Sequence, residues 1–230
     1  MRLIDTHSHL FLEEFSEDLP QVIERARSAG VTHIFMPNID STTIDSMLSV
    51  CNTYNDYCFP MIGLHPTSVN ADYEKELEIV ARELRSFNKY IAIGEVGMDL
   101  YWDKTFLKEQ QIVLDKQINW ALEYDLPVVI HCRDAFGYIY NVLEPYKNTS
   151  LKGVFHSFTG TDDEAARILE FSGFLIGING VVTFKKSRLP EVLTKIPLEK
   201  IVLETDSPYL TPVPNRGKRN ESAYVKDTLM

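Results

Sequence analysis

Short runs of apolar, often β-branched residues recur along the chain and are separated by longer amphipathic stretches. The stretches at residues 19–30 and 108–125 show helical spacing of apolar positions, and the first ends at Gly30, a residue type that commonly stops helices. Nearly continuous apolar runs that alternate with helices predict parallel strands buried on both faces. The eight predicted strands begin near Arg2, Thr32, Phe59, Tyr90, Pro127, Lys152, Gly173 and Lys200.

Eight strand–helix units in 230 residues predict an α/β fold, a closed (β/α)8 TIM-type barrel that spans residues 1–230 as one domain. An open doubly wound sheet usually carries a glycine-rich phosphate loop after its first strand, and the sequence THSHLF has no glycine there. The eighth helix, residues 222–230, is predicted to be short or truncated. We expect Ala223, Tyr224, Val225 and Leu229 to hold it by packing, with part of the seam between the first and last strands left exposed.

Composition narrows the class of protein. Acidic residues number 33 against 23 basic ones, a net charge of −10, so the chain has no general attraction for a polyanion or a membrane surface. Asp5 interrupts any leader-like core, and no apolar run approaches the roughly 18 residues of a membrane span. The three cysteines have no paired spacing, which favours a reducing compartment. We expect a cytoplasmic protein with no membrane partner, and no obligate protein partner can be inferred.

Side chains that can bind metal collect at the C-terminal ends of the predicted strands. These ends meet at one rim of a parallel barrel, where barrel enzymes build their sites. His7 and His9 leave the same face of an extended chain, about 6–7 Å apart at Cβ, and can turn towards one cation. A carboxylate such as Glu95 can bridge two cations, and Asp206 can act as a ligand and as a general base towards water. The six candidate ligands are His7, His9, Glu95, His131, His156 and Asp206.

Further residues near the rim are candidates for binding substrate. His65 precedes a proline that fixes the local chain, and we expect it to contact substrate or support the site. Arg133 lies two residues past His131, on the same side, and suits bidentate binding of phosphate. The loop TPVPNRGKRN follows the last strand, a frequent phosphate site in barrels. His33 lies at the opposite end of its strand and is interpreted as structural. The candidate substrate-binding residues are His65, Arg133, Arg216, Lys218 and Arg219.

The motifs resemble those of TatD-type metal-dependent deoxyribonucleases, within the amidohydrolase-like metal hydrolases. The resemblance runs from DTHSHL at Asp5 through GLHP, GEVGMDLYWD, PVVIHCRDA, FHSFTG and TDSPYLTPVPNRGKRNE, ending at Glu221. It implies the (β/α)8 barrel, the six metal ligands named above with Glu95 bridging two metals, and 3′-to-5′ exonuclease activity on single-stranded DNA ends. Ser222 stands where the family usually has proline, and family members normally continue for a few dozen further residues of helix.

The residues and the resemblance together predict a divalent-metal-dependent hydrolase that cleaves DNA phosphodiester bonds with water activated by two metal ions. The four imidazoles suit zinc or manganese, whereas the family's activity is usually supported by magnesium, so the metal stays open. The substrate would be DNA strand ends or another phosphate-bearing molecule. The alternative is a metal-dependent hydrolase of a small ester or amide, such as an aminoacyl deacylase. A third interpretation is a metal-binding scaffold without activity.

Overall fold

The computed structural model describes residues 2–86 and 89–229, and within them eight strands alternate with eight helices. The strands are β1 (Leu3–Asp5), β2 (Val31–Pro37), β3 (Cys58–Met61), β4 (Ile93–Asp99), β5 (Val128–Arg133), β6 (Lys152–Phe155), β7 (Gly173–Ile178) and β8 (Ile201–Leu203). The helices are α1 (Leu19–Ser28), α2 (Ile44–Thr53), α3 (Tyr73–Ser86), α4 (Leu107–Glu123), α5 (Phe136–Leu143), α6 (Asp162–Leu169), α7 (Leu189–Leu193) and α8 (Val225–Thr228).

Two short bridges close the strands into a barrel. Hydrogen bonds join β1, β2 and β3 in one parallel set and β4 to β8 in another, each in chain order. Ile62, just after β3, pairs with Ile93 of β4, and Ser8, beyond β1, pairs with Ser207, beyond β8. Each strand therefore has a neighbour on both sides, and the predicted (β/α)8 barrel is confirmed.

The helices form the outer layer, and the longer ones bury an apolar stripe. In α1 the buried residues Val22, Ile23 and Ala26 follow helical spacing, and a proline lies in the first turn, where it costs no hydrogen bond. The chain leaves α1 through Gly30, whose φ of +91° is accessible to glycine without strain. Among the described residues, no helix combines the length and the apolarity that are needed to cross a membrane.

β4 extends further towards the rim than its apolar run suggests. It continues past Glu95 to Asp99, and all seven of its residues are buried. Gly97 has a φ of +135°, and a Cβ there would collide with the carbonyl of His131 on β5, so only glycine allows this approach. The register between β4 and β5 shifts in the same segment. Glu95 therefore lies inside the strand rather than directly after it.

The last segment is a 3-10 turn, Ser222–Tyr224, followed by the four-residue α8. Ala223 and Val225 are buried as expected, but the prediction for Leu229 is wrong, because its side chain is 48% exposed. α8 ends at Thr228, so Leu229 lies at the C-terminal cap, and the buried residues of α8 are Val225, Asp227 and Thr228. Ile4 on β1 remains 42% exposed, so part of the outer face of the seam is uncovered, and the effect of this exposure on stability or association stays a prediction.

Glu221 ties this last segment to α1. Its carboxylate accepts hydrogen bonds from Arg25, from Nε to Oε1 at 2.8 Å, from Nη2 to Oε2 at 2.6 Å and, more weakly, from Nε to Oε2 at 3.0 Å. Glu221 is only 4% exposed, whereas the Arg25 side chain is 45% exposed. A buried carboxylate depends strongly on its partner, since its ionised form loses hydration that only the guanidinium replaces.

We expect Arg25→Ala to lower the free energy of unfolding by about 2 kcal/mol, because it leaves the buried Glu221 carboxylate without its bidentate partner. The double variant Arg25→Ala/Glu221→Gln should lose less, since no unpaired charge remains. Urea unfolding at a fixed metal concentration measures both changes, with Arg82→Ala on the exposed face of α3 as the control. Equal losses in the Arg25 and Arg82 variants would contradict this role for the pair.

Candidate metal centre

The six side chains that the sequence singles out meet in one cluster at the C-terminal rim. His7 and His9 come from the chain after β1, Glu95 from β4, His131 from β5, and the remaining two from the segments after β6 and β8. The side chains are largely buried, with exposed fractions between 0% for His7 and 18% for His131. The barrel therefore assembles five distant parts of the chain around one small volume.

The first half of the cluster has the spacing of ligands that share one cation. Nε2 of His7 lies 3.2 Å from Nε2 of His9 and 3.1 Å from Oε2 of Glu95. Oδ1 of Asp206 lies 3.5 Å from Nε2 of His9 and 3.8 Å from Nε2 of His7. Ligands at about 2.0–2.2 Å from a tetrahedral cation are about 3.3–3.6 Å apart. These four donor atoms therefore fit a divalent cation.

The second half of the cluster faces the other oxygen of Glu95. Oε1 lies 2.8 Å from Nδ1 of His131, 3.3 Å from Nε2 of His65 and 3.4 Å from Nε2 of His156. One carboxylate thus presents Oε2 to one pair of histidines and Oε1 to a different group. This is the arrangement required of a carboxylate that bridges two cations.

Two further carboxylates orient the histidines of the second half. Oδ2 of Asp99 lies 2.9 Å from Nε2 of His131, and Oε1 of Glu204 lies 3.1 Å from Nδ1 of His156. At His131, the outward Nε2–H donates to Asp99 and leaves the Nδ1 lone pair for a cation, a common outer arrangement at metal sites. The contact between Glu204 and His156 is an ion pair without the geometry of a hydrogen bond. Gly177 on β7 leaves room for Glu204, because a Cβ there would lie 2.6 Å from Oε2.

His65 differs from the other histidines in its hydrogen bonds. Its Nδ1 accepts a hydrogen bond from the backbone N–H of Thr67 at 3.2 Å, so the ring proton lies on Nε2. Nε2 points at Oε1 of Glu95 and can donate to it. This pattern favours a supporting role for His65 over direct binding of a cation.

The turn after β8 holds the Asp206 carboxylate beside β1. Asp206 has a φ of +57°, a left-handed conformation that aspartate tolerates better than most residues. Its N–H donates to the carbonyl of His7 at 2.9 Å, and its carbonyl accepts from the N–H of Tyr209 at 2.8 Å. The backbone bonds that close the barrel at this seam therefore also position a candidate ligand.

The cluster stabilises positive charge. Burial by itself would raise the pKa of Glu95, but the imidazoles of His65 and His156 outweigh burial and hold that pKa well below its usual range. Burial lowers the pKa of His156, yet the carboxylates of Glu204 and Glu95 raise it to about 10. The ionised Glu95 carboxylate attracts positive charge, and a divalent cation could take the place of the proton on His156, since metal binding displaces protons from its ligands. Burial lowers the pKa values of His7 and His65, which favours their neutral, metal-binding form.

Asp99 and Glu204 are the site residues that our sequence reasoning missed. The signal for both was the two-residue period of a strand. Asp99 lies four positions after Glu95 on the same strand, and Glu204 lies two positions before Asp206. Both lie an even number of residues from Glu95 or Asp206, so the alternation of a strand places their side chains on the same, inward face.

A cavity of about 640 Å³ opens beside the cluster, and Arg133 lies in its wall. The basic loop after β8 is placed differently. Arg219 forms an ion pair with Asp18 at 2.8 Å, outside the cavity, and Arg216 and Lys218 are exposed. Within residues 2–86 and 89–229, none of these three lines the cavity. Of the predicted basic residues, only Arg133 is brought into its wall.

The whole chain matches known proteins with this barrel and these motifs. The model of the family described as TatD related DNase matches residues 4–230. The chain belongs to the TatD-related DNase family. An uncharacterized metal-dependent hydrolase, YabD of Bacillus subtilis, is 39% identical over 97% of this chain and 87% of its own length. The Pantoea ananatis protein named 3′-5′ ssDNA/RNA exonuclease TatD is 32% identical, over 99% and 89% respectively.

A solved structure of this family has the same fold throughout. The crystal structure of YjjV, a TatD homologue from Escherichia coli K12, superposes with a TM-score of 0.91 at 31% identity, covering 99% of this chain and 87% of that one. The family resemblance and the barrel, both predicted from the sequence, are confirmed.

If the cluster binds divalent cations, adding zinc, manganese or magnesium to chelator-treated protein should raise its melting temperature. At a free concentration of about 100 times Kd, binding adds roughly 2.7 kcal/mol, which in a chain of this length corresponds to roughly 5–10 °C. Differential scanning calorimetry measures the shift. Glu95→Gln should reduce it strongly, whereas the same metals should stabilise His33→Gln as they do the unaltered protein. Equal shifts of the melting temperature in Glu95→Gln and His33→Gln would show that the cation binds outside the cluster.

Proposed function

We propose that this metal-dependent hydrolase is a nuclease that cleaves phosphodiester bonds at single-stranded ends, with 3′-to-5′ polarity. The observation that carries the proposal is the division of the Glu95 carboxylate, whose two oxygens face two separate groups of histidines 2.8–3.8 Å away. Two-cation sites are common in enzymes that cleave phosphodiesters, because two charges can stabilise both the attacking and the leaving oxygen.

Six side chains would hold the two cations. His7, His9 and Asp206 would bind one cation, His131 and His156 would bind the other, and Glu95 would bridge them. When bound, the cations would polarise the phosphate and make water a stronger nucleophile near neutral pH. Their identity and number belong to this proposal, with zinc, manganese and magnesium as the candidates.

The chain's own residues would then manage the proton and the substrate. Asp206 has one carboxylate oxygen directed at the histidines and would accept the proton of the attacking water as the new P–O bond forms and the old one breaks. Asp99 would hold His131 in the tautomer described above, and the Glu204 carboxylate would attract His156 by its charge. Arg133 would bind the phosphate from the cavity wall.

Strand ends suit this site better than the middle of a duplex. The net charge of −10 opposes broad contact with a polyanion, and one cavity can engage only a few phosphates. The Pantoea ananatis relative is named for 3′-5′ activity on single-stranded DNA and RNA, which supports the same choice here. Arg216 and Lys218, both exposed, stay candidate contacts for phosphates beyond the cavity.

We expect His131→Ala and Asp206→Asn each to lower kcat by roughly 10²–10⁴-fold, because one removes a cation ligand and the other the proton acceptor. Neither substitution removes a large apolar side chain, so the circular dichroism spectrum should stay unchanged. The measurement is release of mononucleotides from a short single-stranded oligonucleotide at matched metal content.

The control for this experiment is His33→Gln, which alters a histidine at the start of β2, away from the cluster, and should keep full activity. An ester and an aminoacyl substrate are assayed in parallel. Near-complete activity in the Asp206 variant would contradict the proposed proton transfer. Hydrolysis of the ester or aminoacyl substrate without hydrolysis of the oligonucleotide would contradict the nuclease proposal and support a hydrolase of small esters or amides.

We expect Arg133→Ala to impair substrate binding and Arg219→Ala to impair stability. Loss of Arg133 should raise KM for the oligonucleotide several-fold with metal content unchanged, because its guanidinium faces the cavity. Loss of Arg219 should leave KM near that of the unaltered protein and lower the melting temperature, since this residue pairs with Asp18 outside the cavity. An increase of KM in Arg219→Ala as large as that in Arg133→Ala would contradict this difference between the two residues.

A further inference from the structure

Two large aromatic side chains are exposed beside the metal centre. Tyr101 is 51% exposed and Trp102 is 77% exposed, in the loop that follows β4. Tryptophan is usually well buried in folded proteins, so a residue this open, in the wall of the cavity that holds the cluster, requires an explanation. We call these two residues the aromatic platform.

The aromatic platform has a defined geometry that includes a cation. The two rings meet edge to face, with centroids 4.7 Å apart and an interplanar angle of 89°. Cζ of Arg133 lies 3.9 Å from the Tyr101 ring centroid and 5.6 Å from that of Trp102. Arg133 covers a face of Tyr101, whereas the Trp102 indole keeps most of its surface open to a ligand. Within the described ranges, the Arg133 guanidinium donates no hydrogen bond, so its N–H groups remain available.

Backbone hydrogen bonds fix the aromatic platform relative to the cluster. The N–H of Tyr101 donates to Oδ1 of Asp99 at 3.1 Å, while Oδ2 of the same carboxylate lies 2.9 Å from Nε2 of His131. The N–H of Leu100 donates to the carbonyl of Arg133 at 3.0 Å. One carboxylate therefore links the orientation of a candidate ligand to the start of the platform loop.

We propose that Trp102, supported by Tyr101 and Arg133, stacks on the base of the nucleotide next to the phosphate that is cleaved. This inference rests on the proposed nuclease function and adds a subsite to it. A base can lie on an indole only when its own face is free, which holds for a single strand or a frayed end and not for a base inside a duplex. Every base has a π face, so the subsite tolerates any sequence.

The combination of groups favours a nucleotide over a small ester. Arg133 offers N–H donors that match a phosphate, and the adjacent indole offers a flat apolar surface that matches a base. The cavity of about 640 Å³ lies within the size range of sites for small organic ligands and can take one nucleotide. An ester hydrolase needs neither the guanidinium nor the indole at its rim.

Tryptophan fluorescence tests the stacking directly, because the chain has two tryptophans, Trp102 and the half-buried Trp120. Trp120→Phe leaves Trp102 as the reporter, and Trp102→Leu leaves Trp120. Both proteins carry Asp206→Asn to stop turnover. Each is titrated with octathymidylate and with a phosphodiester of the same length that carries tetrahydrofuran in place of every base. We expect octathymidylate to quench Trp102 and the abasic strand to leave it nearly unchanged, while Trp120 responds to neither.

Binding affinity provides the second measurement. Trp102→Leu should weaken binding of octathymidylate roughly 5- to 150-fold, the range measured for single base–aromatic stacks. Its affinity for the abasic strand should hardly change. Tyr138→Leu, at an exposed tyrosine on α5 outside the cavity wall, is the matched control and should bind both strands normally.

The outcomes separate the subsite from the nuclease proposal. Equal quenching of Trp102 by the two strands, or unchanged octathymidylate affinity in Trp102→Leu, overturns the stacking subsite even if the unaltered enzyme degrades octathymidylate. Base-dependent quenching in a protein that hydrolyses no oligonucleotide supports the subsite as a binding site and overturns the nuclease function. Base-dependent quenching together with hydrolysis supports both.

Discussion

The burial of the Glu95 carboxylate is the constraint on which the rim of this barrel depends. The side chain is 3% exposed, and an unpaired charge at that depth would cost several kcal/mol. Imidazoles surround both of its oxygens, and two of them, His131 and His156, face a second carboxylate farther out, Asp99 and Glu204 respectively. The result is a central anion inside a group of nitrogen donors, with two further anions behind that group. Such an arrangement is poor as an apolar core and well suited to divalent cations.

Closure of the barrel and assembly of the cluster are one structural event. The seam between β1 and β8 is joined by the His9 N–H to the Ser207 carbonyl at 2.8 Å and by the Asp206 N–H to the His7 carbonyl at 2.9 Å. Asp5, at the end of β1, accepts hydrogen bonds from the N–H and the hydroxyl of Thr205 at 2.9 and 2.6 Å. Every one of these bonds involves a residue at or next to a candidate ligand, so the seam cannot open without separating the cluster.

The rim has one side where the charged side chains are paired with each other and another side where side chains line the cavity. On the β8 side, Arg219 is engaged by Asp18, and Glu221 by Arg25, so those charges stabilise the fold. On the β4 and β5 side, Arg133 and Trp102 line the cavity, with N–H groups and an indole face that the protein itself leaves unused. The subsite that we propose therefore lies on the β4–β5 side, whereas the paired charges on the β8 side help to close the barrel.

Much of this protein follows from the sequence alone. The alternation of apolar runs and helices determined the barrel, because parallel strands need helical crossovers and must be buried on both faces. The six candidate ligands could be chosen because C-terminal strand ends meet at one rim whatever the loops do. Alternation along a strand would also have found Asp99 and Glu204. These are local rules of period and direction, and local rules can be read from a linear chain.

Only the tertiary structure decided where the long side chains go. Arg133, the last residue of β5, and Arg219, in the loop after β8, have the same chemistry, yet one lines the cavity and the other pairs with Asp18, about 200 positions away in the chain. The division of Glu95 between two groups of histidines likewise depends on rotamers that five separate segments set together. In each case the free energy of placement comes from partners distant in sequence, and no local pattern records them.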